Sequence, residues 1–270
     1  MRLQRETLNM IQGVICDLDG TLYRGREEVP GAARFVSRWR QEAIRLVFVT
    51  NRANRTAETI CEQLSGHGIA CEPTDVLTSG LAAAQHLRKG SVYCVGEDAM
   101  RQTLAAAGFV LTEDQPDYVV VSLDQRFTYD KLRTACRLIR AGARFVATNR
   151  DLVLCTDQGV LPGTGAIVAA VAACAGVEPL VIGKPAPLIF RMAVARMRLA
   201  PEQVVVLGDN LDTDIRGGHD AGFRTAFILT GVSRREDLEH AAVKPTWVVA
   251  SLEEFNDVIR RENDGEGDSK

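Results

Sequence analysis

The chain has 270 residues, 46% of them hydrophobic, which is enough for one large domain or two modest ones around a sizeable core. Its 32 basic and 35 acidic residues nearly balance, at a net charge of −3, so nothing in the total marks a binder of nucleic acid or of an anionic membrane surface. The longest run without polar side chains, 167–177, falls well short of the roughly 18 residues a membrane span needs, and the charged, polar start 1–9 carries no apolar signal core.

In chain order, Val14-Ile15-Cys16 predicts a short buried strand that stops abruptly at Asp17-Leu18-Asp19-Gly20-Thr21. An amphipathic helix over 32–42 follows, then a strand over 46–49 that ends at Thr50-Asn51. Strands are predicted at 91–95, 118–122 and 143–147, with helices at 99–108 and 129–141 between them. Gly163-Thr164-Gly165 opens an Ala-rich helix to 175; without a third glycine at dinucleotide spacing it reads as a tight helix entry. Val204-Val205-Val206-Leu207 predicts a further strand, stopped by Gly208-Asp209-Asn210, with His219 in the helix after Asp214. This alternation describes an α/β protein with a doubly wound, mostly parallel sheet and a second α/β unit inserted into it. The expected layout is a discontinuous core of 1–79 and 183–262, an insert over 80–182, and a disordered tail over 263–270.

Seven cysteines lie scattered without a C-x-x-C pair, which reads as reduced, packed thiols in a cytoplasmic protein. The four histidines show no metal-ligand spacing, and Cys16, Trp39 and Trp247 read as packing residues.

Three predicted strands thus end in polar residues, and in open α/β sheets ligands sit at the carboxyl ends of strands. Asp17 and Asp19, followed by Gly20, can converge on one point, where a hard divalent cation would offset their repulsion. An isolated Asp-x-Asp-Gly also fits an Asx-turn or a helix cap, and Asp212 or Asp214 also fits the cap of the following helix. Asp209 and Asp214 are the candidates to complete a metal site. Thr50 and Asn51 offer neutral donors for a phosphate oxygen, and Lys184 in Gly183-Lys184-Pro185 offers a fixed positive charge beside it.

With these residues in place, the sequence resembles the haloacid dehalogenase superfamily, whose Asp-x-Asp-Gly-Thr, Thr, Lys and Gly-Asp-x-x-x-x-Asp motifs appear in order as Asp17/Asp19, Thr50, Lys184 and Asp209/Asp214. The insert between Thr50 and Lys184 resembles the subclass with a large α/β cap, the NagD-like or nitrophenylphosphatase-like enzymes. So do Leu22-Tyr23-Arg24-Gly25, Ala147-Thr148-Asn149-Arg150-Asp151 and Leu161-Pro162-Gly163-Thr164-Gly165. Two positions depart from the subclass: Arg52 follows Thr50-Asn51, and Arg150 replaces the usual proline between Asn149 and Asp151.

The resemblance implies a Mg²⁺-dependent phosphomonoester hydrolase acting on a small phosphorylated metabolite. Asp17 would be the nucleophile and Asp19 the acid and base. Mg²⁺ would be held by Asp17, the Asp19 carbonyl and Asp209, with Asp214 behind them holding Lys184 or a metal-bound water, while Thr50, Asn51 and Lys184 grip the phosphate. Tyr23, Arg24, Arg52, Arg150 and Asp151 are the candidate leaving-group contacts, against the plain reading of exposed loop charge. Caps of this kind also imply a homodimer. Two other readings share the residue types: a phosphomutase that returns the phosphoryl group to a sugar, and a receiver-like phospho-signalling module, whose usual single-domain size fits the insert poorly.

Overall fold

The computed structural model describes residues 10–156 and 159–265. Most of the tail expected over 263–270 lies outside them, but residues 263 and 264 belong to the last helix, whose cap Ser251 accepts from the Glu254 amide and which ends at Gly265 in a left-handed conformation. The chain forms two compact units. One takes the described residues up to Val49, Ile60–Leu77, and those from Lys184 on; the other takes Thr50–Thr59 and Thr78–Gly183. The ten residues from Thr50, placed with the first unit by the sequence, cluster with the second. Their anchor is the Asn51 carbonyl, which accepts from Ser79 Oγ and Asn149 Nδ2, both at 2.8 Å.

The first unit begins with β1 (Gly13–Cys16), a turn, the small ribbon β2 (Tyr23–Arg24) and β3 (Glu27–Glu28), and helix α1 (Ala32–Gln41). Helix α1 buries Ala32, Phe35, Val36 and Trp39, an i, i+3, i+4, i+7 stripe. Trp39 meets Phe255 edge-on at 5.5 Å and donates to Asn256 Oδ1 at 3.2 Å, so it packs as expected. Strand β4 (Arg45–Thr50), helix α2 (Ala57–Gly66) and strand β5 (Val76–Thr78) follow.

The second unit holds α3 (Ser79–His86), β6 (Ser91–Val95), α4 (Asp98–Ala106), β7 (Val110–Leu111), β8 (Tyr118–Val121), α5 (Tyr129–Arg140) and β9 (Arg144–Ala147). It continues through the antiparallel hairpin β10 (Val153–Thr156) and β11 (Gly159–Pro162) to α6 (Thr164–Ala175) and β12 (Leu180–Val181). Its five strands are parallel in the order β12-β9-β8-β6-β7. Val119, Val121, Ile139, Phe145, Val168 and Val171 meet in its core. A Cβ on Gly163 or Gly165 would fall 2.2 or 2.3 Å from the Asp151 or Arg150 carbonyl. The Gly-Thr-Gly sequence therefore serves as a close-packed helix entry.

The chain re-enters the first unit with α7 (Pro187–Met197), β13 (Val204–Gly208), α8 (Arg216–Asp220), β14 (Arg224–Ile228), β15 (Trp247–Val249) and α9 (Leu252–Asp264). The six strands run β15-β14-β13-β1-β4-β5. From β1 the order grows outward through β4 on one side and β13 on the other, both parallel to it. This is a topological switch point, where strand ends diverge and leave a crevice. Among the described residues no helix is long and apolar enough to cross a membrane.

Candidate active site

Strand β1 is wholly buried, and at its end the Asp17 amide still pairs with the Leu207 carbonyl of β13 at 2.9 Å. The ladder then stops. The amides of Thr21, Leu22 and Tyr23 all turn back onto the Leu18 carbonyl, so the chain folds over at Asp19-Gly20. Gly20 sits at φ +81, and a Cβ there would lie 2.3 Å from Asp209 Oδ2. Glycine is required twice over, by the left-handed turn and by the approach of Asp209.

Strand β13 delivers the second set of groups. Asn210 caps the short turn 211–215, accepting from the Asp212 and Thr213 amides, so Asp214 is released from the capping role that its position allowed. The Asp214 side chain lies over Gly208, where a Cβ would come 2.3 Å from its own Cβ. Lys184, only 4% exposed, donates to Asp17 Oδ1 and to Asp214 Oδ1, each at 2.6 Å. Asp209, 1% exposed, accepts from the Val232 amide at 2.6 Å and from Thr21 Oγ1 at 3.5 Å.

One ammonium among three carboxylates leaves an excess of negative charge. Burial, together with the charges of Asp17 and Asp214, pushes Asp209 up to about 8. Burial likewise lifts Asp214 to about 7, with Lys184 pulling the other way. Burial opposes the charge on Lys184, but Asp17 and Asp214 outweigh it and hold the ammonium protonated. Asp17, Asp209 and Asp214 each offer an oxygen, all within 4.8 Å of one another, a donor set that fits a hard divalent cation.

Asp17, Asp209, Asp214 and Lys184 are thus brought together in the first unit, with Asp19 two residues along. Thr50 ends β4, whose Phe48 pairs with Cys16, and Thr50 Oγ1 accepts from the Arg52 amide at 3.2 Å. Asn51 belongs with the second unit and turns its amide onto both carboxylate oxygens of Asp151, at 3.2 and 3.0 Å.

The candidate leaving-group contacts fare differently. Tyr23 is buried, at 1% exposed; its ring stacks on His67 at 5.2 Å and its hydroxyl lies 3.5 Å from Asp19 Oδ2, so it faces the acid rather than solvent. Arg150 pairs with Glu178, and Arg24 donates to the Thr230 carbonyl, which ties both to the protein itself. Asp151 faces Asn51, and Arg52 lies half-buried one residue past it.

Sequence reasoning missed the Gly231-Val232 turn that holds Asp209. A Cβ on Gly231 would lie 1.8 Å from Asp209 Oδ2. The available signal was the end of β14 at Ile228, one more strand end beside β13.

A doubly wound sheet whose switch point gathers carboxylates around a buried lysine defines a class of protein suited to a cation and a phosphate, and comparison with known proteins names its family. A family model described as haloacid dehalogenase-like hydrolase matches residues 14–110, and a second, HAD-hydrolase-like, matches 181–255. An acid sugar phosphatase of Staphylococcus saprophyticus is 39% identical, over 91% of this chain and 96% of its own length. The 5'-nucleotidase YutF of Bacillus subtilis is 36% identical over 90% and 97%. Among solved structures, the 4-nitrophenylphosphatase of Thermotoga maritima has a TM-score of 0.89 at 32% identity, covering 93% of this chain and 98% of that one. NagD from E. coli K-12 has a TM-score of 0.85 at 34% identity, covering 90% and 97%. The chain belongs to the haloacid dehalogenase-like hydrolases, as a phosphatase of their NagD-like branch.

Proposed function

We propose that the chain is a Mg²⁺-dependent phosphomonoesterase for small phosphorylated metabolites, working through an aspartyl-phosphate on Asp17, with 78–183 as the cap that recognises the leaving group. The observation that carries this reading is the Lys184 ammonium wedged between Asp17 and Asp214 beside buried Asp209. A buried cluster with more negative than positive charge is costly to maintain and complements a divalent cation together with a phosphate.

In this reading an Asp17 oxygen attacks phosphorus in line as the bond to the leaving oxygen breaks, and Asp19 gives that oxygen its proton. Asp19 then takes a proton from the water that attacks the phosphoryl group, which frees Asp17 and inorganic phosphate. Lys184, Thr50 and the Asn51 backbone amide hold the phosphate oxygens, and Asp214 holds Lys184. Asp17, the Asp19 carbonyl and Asp209 would hold Mg²⁺, which when bound offsets the charge on the transferring phosphoryl group. In this reading a cap would shield the acyl phosphate from stray water, and Arg52, half-buried beside Asn51, is one candidate for the leaving group.

The names of the relatives make sugar phosphates and nucleoside monophosphates the first substrates to test. Phosphate release should be measured over such a panel with and without Mg²⁺. Release that depends on Mg²⁺ is expected. No release from any compound, or an isomerised sugar phosphate without inorganic phosphate, would overturn hydrolysis.

Two smaller effects follow from the geometry. Gly231→Ala should displace Asp209 and cost about 10- to 100-fold in activity or in Mg²⁺ requirement, read by titrating activity against Mg²⁺. Tyr23→Phe keeps the ring on His67 but removes the hydroxyl near Asp19, so kcat should fall about fivefold with KM little changed, as expected for about 1 kcal/mol in the transition state alone.

A further inference from the structure

Outside the carboxylate cluster, two cysteines ten positions apart meet in the first unit. Cys61 lies on the buried face of α2 (Ala57–Gly66), and Cys71, half-buried, follows the turn after that helix. Their sulfurs stand 2.6 Å apart, closer than non-bonded sulfurs rest. The loop between them carries His67, which stacks on Tyr23. We propose that Cys61 and Cys71 are a covalent modification site, forming an intramolecular disulfide by exchange with a low-molecular-weight disulfide such as oxidised glutathione.

The half-buried Cys71 is the sulfur that small molecules reach first. Its thiolate attacks the small disulfide, forming a mixed disulfide and expelling one thiolate, which takes up the proton that Cys71 lost. The Cys61 thiolate then attacks the Cys71 sulfur and expels the second small thiolate, which is protonated in turn. Two protein thiols are thereby oxidised to one disulfide, and the small disulfide is reduced to two thiols. Burial and the neighbouring Cys61 thiol hold the Cys71 thiol well above its ordinary range, so exchange should be slow near neutrality and faster in alkali. The bond closes a short loop and constrains the unfolded chain, bracing the segment that seats His67 on Tyr23.

The test is to incubate the folded protein with oxidised glutathione near pH 8, block residual thiols, and map peptides by mass. The expected product is a Cys61–Cys71 linked peptide, with a rise in Tm of roughly 5 °C that a dithiol reductant reverses. The Cys61→Ser variant should carry glutathione at most at Cys71 and lose the part of the rise that the Cys61–Cys71 bond supplies, whatever Cys136 and its neighbour Cys174 do in both proteins. The proposal is overturned if the folded protein keeps both as thiols, or carries glutathione on each, while chain unfolded in urea reacts at both. It is also overturned if Cys61→Ser shows the same Tm rise.

Discussion

Asp17→Asn should release phosphate at least about 10⁴-fold more slowly than the parent on any substrate the parent accepts, as expected when the group that forms the covalent bond is lost. The replacement is nearly isosteric, and Lys184 keeps Asp214 at 2.6 Å, so the fold should survive. Removing the Asp17 charge also takes away one cause of the raised pKa values of Asp209 and Asp214. The metal-free variant should therefore melt no lower than the parent, and higher near pH 8. Loss of activity together with equal or greater stability identifies a charge kept for chemistry rather than for folding. Acid-quenched parent protein should retain phosphorus covalently and the variant should not. A variant that keeps a tenth of the parental rate would remove Asp17 from the mechanism.

The second large effect concerns Mg²⁺ and pH together. A carboxyl whose pKa is higher in the folded state than in the unfolded chain binds more protons when folded throughout the interval between the two values. Stability then falls as pH rises across that interval. For Asp209 the interval runs from the ordinary carboxylate range near 4 up to about 8, and for Asp214 up to about 7. Metal-free protein should accordingly lose stability between mildly acid and mildly alkaline pH. Mg²⁺ competes with the proton at Asp209, so its binding should strengthen over the same interval. Saturating Mg²⁺ should raise Tm by roughly 5–10 °C near pH 8 and by clearly less near pH 6. Asp209→Asn should lose most of that gain while still folding, and chelation should abolish phosphate release. Equal gains at both pH values would show that Asp209 does not hold the metal.

Much of this was legible in one dimension. Strands β1, β4 and β13 are short, β-branched and bounded by polar residues, and helices α1 and α5 carry clean apolar stripes, α5 with Thr128 as its cap. Those signals are local, because backbone propensity and side-chain periodicity act over a few residues. The motif residues Asp17, Asp209, Asp214 and Lys184 could be named because each ends a strand or closes a short loop, and strand ends in such sheets converge. The separate two-stranded hairpin β10–β11 escaped notice, since exposed Val153 and Val160 alternate with too few polar residues to show a face.

Which partner each group takes was decided only in three dimensions. Tyr23 could have been a surface contact, but the turn at Gly20 carries it inward onto His67 and Asp19. Arg150 could have faced a substrate, and it faces Glu178. Thr21, Gly231 and Val232 embrace Asp209 from segments that share no local pattern with it, and Cys61 meets Cys71 across a turn without a C-x-x-C spacing. Residue types and their order determine which elements form and where charge must gather. The order of strands in the sheet and the packing of loops at its edge determine who meets whom, because those contacts join residues that no local energy couples until the sheet is assembled.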